Sequence, residues 1–282
     1  MITILRFDCE KLARGSYPWG GLSPDELEEA ASAEDREYAG RRRDPLDRFR
    51  TLSSRASLRL LAAHLRGQSS REAPILPIDR SCHRCGGPHG QPSVAGLSLS
   101  TSSSASSVLV GADASEAPLG VDVEAVPHDL FAGFDDHVLH PTESMACVRA
   151  GRSTADSQSA RLRSRLAVWV AKEAVLKAAG IGLEHPMNRV LLEPSDRTTL
   201  WRDNQLTGEL MWQLVTEAQS PNVRGLFVCL LPSAGGPVSA VATNAPADVH
   251  DIAQNLFQGR RASVAPELRS TPNASSRSPG RT

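Results

Sequence analysis

The spacing of apolar residues in the first part of the chain predicts a strand followed by two helices. Residues 2–7 are apolar or β-branched and predict a first strand. Residues 24–40 begin with a proline and an acidic first turn, which predicts a helix. Apolar residues recur at helical spacing over residues 44–67, and a glycine ends that run, so a second helix is expected there.

The rest of the chain adds strand patterns and one more helix. Strands are expected at about residues 97–100, 107–112, 119–126, 211–215, 226–231 and 238–243. Residues 149–160 are small and polar and predict an inserted loop, and a helix then runs from about Ser164 to Ala179. Residues 246–282 are expected to be mostly disordered, because the end of the chain has little apolar content.

Two acidic residues lie two positions apart on the strand predicted at residues 119–126. Asp122 and Glu124 point to one face of such a strand, and Val121 and Val123 point to the other. Two carboxylates on one face repel each other unless a cation lies between them. Mg²⁺ prefers oxygen ligands together with substrate phosphates, so the pair predicts a magnesium site that needs a third carboxylate.

The later helix offers that third carboxylate. Glu173 and Lys177 lie four residues apart and therefore one turn apart on the same face. Taken alone, they are an ordinary surface ion pair that contributes only about 0.2–0.5 kcal/mol. Together with Asp122 and Glu124, they predict a site where three carboxylates and a lysine converge on a metal-bound phosphate.

These two motifs resemble those of the 4'-phosphopantetheinyl transferases of the surfactin-synthetase-activating type. The family signature pairs a Gly-x-Asp-x-Glu strand with a downstream Trp-x-x-Lys-Glu-x-x-x-Lys helix. The matching residues here are Gly120, Asp122, Glu124, Trp169, Lys172, Glu173 and Lys177. The resemblance extends over about residues 1–245.

The resemblance implies an α+β fold built from two similar halves, a pseudo-dimer with the active site in the cleft between them. Residues 1–118 would form the N-terminal half and supply the coenzyme A contacts. Residues 119–245 would form the C-terminal half and carry the metal ligands and catalytic residues. The division follows from the family, because the sequence itself contains no visible repeat.

The implied activity is Mg²⁺-dependent transfer of 4'-phosphopantetheine from coenzyme A to a serine of an acyl or peptidyl carrier protein. Asp122, Glu124 and Glu173 would hold the metal. Glu173 would also act as general base, and Lys177 would stabilise charge on the phosphate. The alternative is an attenuated or non-catalytic homologue that binds coenzyme A or carrier proteins.

The resemblance also implies a set of coenzyme A contacts, in which this chain departs from the family pattern. These contacts are Arg50, Gln91, Ser100, Thr101 and Lys172. Thr101 stands where the family usually has a histidine, and Gln91 stands where it has a lysine or arginine. Asp35 and Tyr38 occupy positions that carry lysines in some members. The departures concern coenzyme A affinity more than metal chemistry.

Composition limits the remaining partners. The 282 residues are 40% hydrophobic and 22% charged, and the formal net charge is -1. This balance gives no general attraction to nucleic acid or to an anionic membrane. Five scattered cysteines and the absence of a long apolar run predict a cytoplasmic protein, with no membrane partner. We expect a monomer, and the sequence does not indicate which carrier protein is served.

A loop near residue 85 contains metal-binding residue types. Cys82 and Cys85 have the spacing of half a zinc site, with His83 and His89 nearby. A second pair at ligand spacing does not follow, so a closed structural zinc site is not expected. The preferred interpretation is a loop that shapes the adenine pocket.

Overall fold

The computed structural model describes residues 1–15, 24–82, 84–144, 158–182, 185–203 and 206–252. Three sequence-based expectations fall wholly or partly outside these ranges. They concern residues 149–157 of the expected inserted loop, residues 253–282 of the expected tail, and His83.

The main helices largely follow the predicted pattern. They are α1 (Cys9–Ala13), α2 (Pro24–Ala30), α3 (Ala33–Gly40), α4 (Pro45–Leu65), α5 (Phe134–Val138) and α6 (Gln158–Ala178). The single helix predicted over residues 24–40 is wrong, because Ser32 interrupts it. The Ser32 side chain accepts a hydrogen bond from the Asp35 amide, and the Asp35 carboxylate accepts one from the Ser32 amide. This capping box starts a new helix.

All strands in the described ranges belong to one ten-stranded sheet. They are β1 (Ile2–Asp8), β2 (Ser93–Val94), β3 (Leu97–Ser104), β4 (Ser107–Asp113), β5 (Leu119–Glu124), β6 (Leu191–Arg202), β7 (Thr207–Glu217), β8 (Phe227–Leu230), β9 (Val238–Thr243) and β10 (Val249–Asp251). The order across the sheet is β2-β3-β4-β1-β10-β6-β7-β8-β9-β5. Strand β10 runs parallel to both neighbours, and the other pairs are antiparallel.

Three strands, β2, β6 and β10, are missing from the sequence-based prediction, and β2 has only two residues. Strand β6 contains Pro194 and several charged residues on its exposed side, and its register with β7 shifts between Pro194 and Thr198. Such bulged, polar strands lack the apolar alternation that identifies a strand. Strand β10 has only three residues and lies within residues 246–282, which were expected to be mostly disordered. It joins β1 to β6 and completes the sheet.

The sheet is curled, so its two ends approach each other. Residues from β1, β4, β5, β7 and β9 share one apolar cluster on the inner face. A second cluster lies between α4 and the sheet around β3 and β4, and a third lies between α6 and the sheet around β8, β9 and β5. Helix α6 is therefore held against the edge strand that carries Asp122 and Glu124.

The predicted combination of helices and a sheet is confirmed. The described residues form one continuous curled sheet, and the two similar halves stay a prediction. None of the described helices has the length and apolar character needed to cross a bilayer.

Candidate active site

Gly120 allows helix α6 to lie directly on strand β5. A Cβ atom added at Gly120 would lie 1.9 Å from the carbonyl oxygen of Ala174 and 2.5 Å from the amide nitrogen of Ala178. Any larger residue would therefore separate the helix from the strand. This contact explains the glycine in the motif, because it brings Glu173 and Lys177 of the helix over the acidic strand.

Asp122 is the most deeply buried carboxylate of the site. It is only 2% exposed, and its Oδ1 atom lies 2.6 Å from Lys177 Nζ. Ser102 donates a second hydrogen bond to the same oxygen at 2.8 Å, and Lys177 Nζ lies 3.0 Å from Ser102 Oγ. The other oxygen, Oδ2, is buried and has no hydrogen-bond partner in the part of the chain that the structure describes. An unsatisfied buried carboxylate oxygen indicates a ligand position.

Glu124 is partly buried on the same face of β5. Ser104 donates a hydrogen bond to its Oε2 atom and accepts one from the Ala125 amide at 3.2 Å. Burial raises the pKa of Glu124, and the neighbouring Asp122 raises it further. The Ser104 hydrogen bond and Lys177 oppose this shift. A cation placed between the two carboxylates would relieve their repulsion.

Glu173 is the carboxylate whose ionisation is most strongly altered. It is 8% exposed, and burial raises its pKa to about 7, with additional repulsion from Asp122 and Glu124. Lys177 opposes that rise. A carboxylate with this pKa exchanges protons near neutral pH, as a general base must.

The residues present fit a divalent cation. Three clustered carboxylates face a single lysine, and Asp122 Oδ2 is buried without a partner. Oxygen ligands of this kind suit Mg²⁺ and Mn²⁺ alike. Among the described residues, however, the one set of three His, Cys, Asp or Glu ligand atoms within 4.8 Å of each other lies elsewhere, in the Cys82 loop. The three carboxylates thus lie near one another, but their ligand atoms are not all within 4.8 Å of each other.

Serines along β3 connect that strand to β5, and two of them, Ser102 and Ser104, are absent from the sequence-based site. Ser100 accepts a hydrogen bond from the Val121 amide at 2.9 Å, while Ser102 and Ser104 donate to the two carboxylates of β5. Strands β3 and β5 are not adjacent in the sheet, so these side chains link the approaching ends. Their signal in the sequence is the serine at every second position, which places all three on one face.

A cavity of about 580 Å³ lies beside Lys177. It is lined by Tyr38, Arg55, Arg80, Ser81, Cys82, Arg84, His89, Gly90, Gln91, Pro92, Ser100, Thr101, Lys177, Gly180, Ile181 and Gly182. Three predicted coenzyme A contacts, Gln91, Ser100 and Thr101, are among these residues. Since Lys177 also contacts Asp122, the cavity adjoins the acidic strand.

Arg80 gives the cavity a buried cation that the sequence did not reveal. Its side chain is buried, and its Nη2 atom has no hydrogen-bond partner among the described residues. Burial and, to a lesser extent, the nearby charge of Arg55 lower the pKa of Arg80 to about 10. The group still carries its charge at neutral pH, so an anionic ligand would stabilise it.

Arg55 is a second cavity arginine, and the two departures on α3 hold it in place. Asp35 Oδ1 accepts a hydrogen bond from Arg55 at 3.0 Å, and Arg55 lies over the Tyr38 ring at 3.8 Å from its centroid. Asp35 is buried and also pairs with Arg59. Some family members carry lysines at these two positions. In this chain, Asp35 and Tyr38 instead hold Arg55 of α4 in place.

Arg50 and Lys172 do not suit the coenzyme A contacts predicted for them. Arg50 donates to the carbonyl of Ala105 at 2.6 Å and pairs with Asp47 at 2.6 Å, and it does not line the cavity. Lys172 is 0% exposed. Its ammonium contacts the carbonyls of Val138 and Met187 and the carboxylate of Glu143.

Those three bonds use all three donors of Lys172, so none faces a phosphate. Burial lowers the pKa of Lys172, and Glu143 opposes the shift. The motif thus contains one lysine that anchors α6 and one, Lys177, that reaches the site. Trp169 is half-buried and packs against Phe131 and Phe134.

Residues 118–229 match the family model described as the 4'-phosphopantetheinyl transferase superfamily. The match covers less than half of the chain, but it includes β5 and α6 and therefore all three carboxylates and Lys177. Comparison with curated proteins finds no match. The family match supports a transferase of the phosphopantetheinyl type, and it implies coenzyme A and carrier proteins as partners.

Proposed function

We propose that the protein transfers 4'-phosphopantetheine from coenzyme A to a serine hydroxyl of an acyl or peptidyl carrier protein and releases 3',5'-ADP. We place it in the surfactin-synthetase-activating type, with two similar halves and the active site between them. One observation carries the proposal: buried carboxylates on β5 and α6 meet Lys177 at the edge of a cavity lined by arginines.

The cavity suits the phosphate-rich end of coenzyme A. Arg55, Arg80 and Lys177 all line it, and Arg80 has a buried nitrogen without a partner. Guanidinium groups bind phosphate oxygens in a fixed fork geometry, which makes arginine well suited to this task. Ser100, Thr101 and Gln91 line the same cavity and add uncharged polar groups.

The acidic residues suit the metal. Asp122, Glu124 and Glu173 would hold Mg²⁺, since their oxygens are near one another and one of them is buried without a partner. When bound, the ion supplies positive charge to the pyrophosphate oxygens of the donor.

Glu173 and Lys177 would do the protein's share of the chemistry. Glu173 accepts the proton of the carrier serine hydroxyl, which its raised pKa allows near neutral pH. The serine oxygen then attacks the β-phosphorus of coenzyme A, and the bond to the bridging oxygen breaks. Lys177 stabilises the negative charge that develops on the departing 3',5'-ADP.

The alternative function is a homologue that binds coenzyme A or a carrier protein without efficient transfer. Thr101 favours it, because its hydroxyl lies 2.6 Å from Ser54 Oγ and carries no charge. Gln91 also favours it, since its side-chain amide lies 3.5 Å from the Leu119 carbonyl and supplies no charge to a phosphate.

Intact-mass spectrometry separates the two functions. The full chain is incubated with coenzyme A, Mg²⁺ and apo carrier proteins from fatty-acid, polyketide and nonribosomal-peptide systems. We expect a gain of one phosphopantetheinyl group on at least one carrier, and no gain when its acceptor serine is replaced by alanine. If no carrier gains mass while calorimetry shows coenzyme A binding, the alternative is correct.

A further inference from the structure

The loop between Arg80 and Pro92 brings two thiols and an imidazole together at the surface. The ligand atoms of Cys82, Cys85 and His89 all lie within 4.8 Å of one another. The Cys85 sulfur and His89 Nε2 are 3.0 Å apart. Sulfur and imidazole nitrogen are the ligand types that zinc prefers, and a Cys-x-x-Cys pair has the usual spacing.

We propose that Cys82, Cys85 and His89 bind one zinc ion. Tetrahedral zinc with ordinary bond lengths separates two sulfurs by about 3.8 Å and a sulfur from a nitrogen by about 3.5 Å. The Cys85–His89 separation of 3.0 Å is about half an ångström shorter than this. The distances to the Cys82 sulfur are within 4.8 Å. Three protein ligands leave the fourth position to water.

The backbone of the loop is arranged to support thiolates. The Gly87 amide donates to the Cys85 sulfur at 3.4 Å. The backbone amides of Cys85 and Arg84 hold the pKa of the Cys82 thiol below its usual range. Amide donors of this kind orient metal-bound sulfurs and stabilise their negative charge.

A tight turn keeps these amides in position. Gly86 has a φ of +69°, a conformation that glycine adopts without strain. The Gly86 amide donates to the Cys82 carbonyl at 2.8 Å, and the Cys82 amide donates to the Gly87 carbonyl at 2.8 Å. These hydrogen bonds fold the loop around the sulfurs.

The sequence argument against zinc rested on the lack of a second pair of ligands at the usual spacing. The structure raises the number of candidate zinc ligands to three, because the His89 ring lies against the Cys85 sulfur. Cys82 and His89 also line the cavity beside Arg80. Zinc would therefore fix one cavity wall, a consequence that rests on the proposed function.

Metal analysis tests the proposal without any activity assay. The full-length chain, without a polyhistidine tag, is purified under reducing conditions from cells grown with added zinc, and its metal content is measured by mass spectrometry. We expect about one zinc ion per chain. Cys82→Ser, Cys85→Ser and His89→Ala should each lower this several-fold, while the controls Cys147→Ser and His128→Ala should keep it.

Two measurements on the wild-type chain remain informative if a variant fails to fold. Replacing zinc by Co²⁺ should produce thiolate-to-cobalt charge-transfer absorption, and a chelator should make two further thiols available to a thiol reagent. A wild-type chain that carries almost no zinc and gives no cobalt spectrum overturns the proposal. So does unchanged metal content in all three variants, or a Cys82–Cys85 disulfide that forms in place of metal binding.

Discussion

The acidic and basic sides of the candidate site are built in different ways. The acidic side consists of Asp122, Glu124 and Glu173, which come from two short segments whose facing surfaces are fixed by Gly120. The basic side consists of Arg55 and Arg80, which come from α4 and from the chain before the Cys82 loop. Local spacing defines the first side, whereas long-range packing assembles the second.

Glu173→Gln tests the acidic side and should have the largest effect. The change keeps the size of the side chain while removing both the general base and one metal ligand. We expect turnover with coenzyme A and a responsive apo carrier to fall about a thousandfold, within the range for loss of a general base. The measurement is the rate of mass gain on the carrier at saturating substrate.

Glu209→Gln is the matched control, because Glu209 is an exposed acidic residue on β7. It should retain turnover within about twofold, as surface changes of this kind usually do. If Glu173→Gln is equally mild, the role assigned to Glu173 is wrong, and Asp122→Asn then tests whether the acidic side takes part at all.

The same substitution should also change how stability depends on pH. Burial and the neighbouring carboxylates raise the Glu173 pKa from 4.5 to about 7. Between these values the folded chain holds a proton that the unfolded chain has lost, so the free energy of unfolding falls as pH rises. Glu173→Gln should therefore have a higher free energy of unfolding than the wild-type chain, by up to about 3 kcal/mol. The full difference should be present above pH 7.

Urea unfolding of both proteins from pH 4 to pH 8, in a chelator, measures the difference. The stability gained by Glu173→Gln should be small at the acidic end and should reach a plateau above the folded-state pKa. A gain that is the same at every pH would show that Glu173 ionises normally in the folded chain.

The acidic side could be predicted from the sequence because its geometry follows from regular periods. A strand period of two aligns Asp122 with Glu124, and one helical turn aligns Glu173 with Lys177. For Lys172, the family resemblance predicted a coenzyme A contact. Only the fold shows that Glu143, which is 29 positions away, takes up its charge.

The basic side could not be predicted in the same way. Arg80 becomes a buried cavity residue through the packing of a loop without regular period, and Arg55 is directed by Asp35 and Tyr38 on another helix. Helix α4 and the main predicted strands could be identified from the spacing of their apolar residues. Strand β6 was not, because a bulged strand exposed on one side carries little apolar signal.

A comparison of Arg80→Ala with Arg50→Ala tests the cavity of the structure against the family-based prediction that Arg50 contacts coenzyme A. Removing the buried guanidinium of Arg80, whose Nη2 atom has no hydrogen-bond partner among the described residues, should raise the Michaelis constant for coenzyme A about tenfold, or about 1.4 kcal/mol, with a smaller change in turnover. Arg50→Ala should change it less than twofold, because its donors contact Ala105 and Asp47.

Steady-state kinetics with coenzyme A and with its 3'-dephospho form sharpens this test. If Arg80 contacts the 3'-phosphate, its loss should matter much less with the dephosphorylated donor. Arg197→Ala, which changes an exposed arginine on β6, is the control. A larger effect at Arg50 than at Arg80 would favour the family-based prediction over the cavity geometry.

Thr101→His should give the smallest effect and acts where the basic side is weakest. Thr101 lines the cavity but its hydroxyl lies 2.6 Å from Ser54 Oγ, so it offers little to a phosphate. A histidine there should lower the Michaelis constant for coenzyme A about threefold near pH 6, where a substantial part of the imidazole is protonated. The gain should shrink towards pH 8, as the charge is lost.

Thr101→Gln separates charge from size, because it adds a polar group that does not titrate and whose volume lies between those of threonine and histidine. If both variants tighten binding equally at every pH, the added hydrogen bond matters and the charge does not. If Thr101→His leaves the constant unchanged or raises it, the basic side is already complete with Arg55 and Arg80. The departure at Thr101 would then be a consequence of an arginine-based site and would cause no loss of affinity.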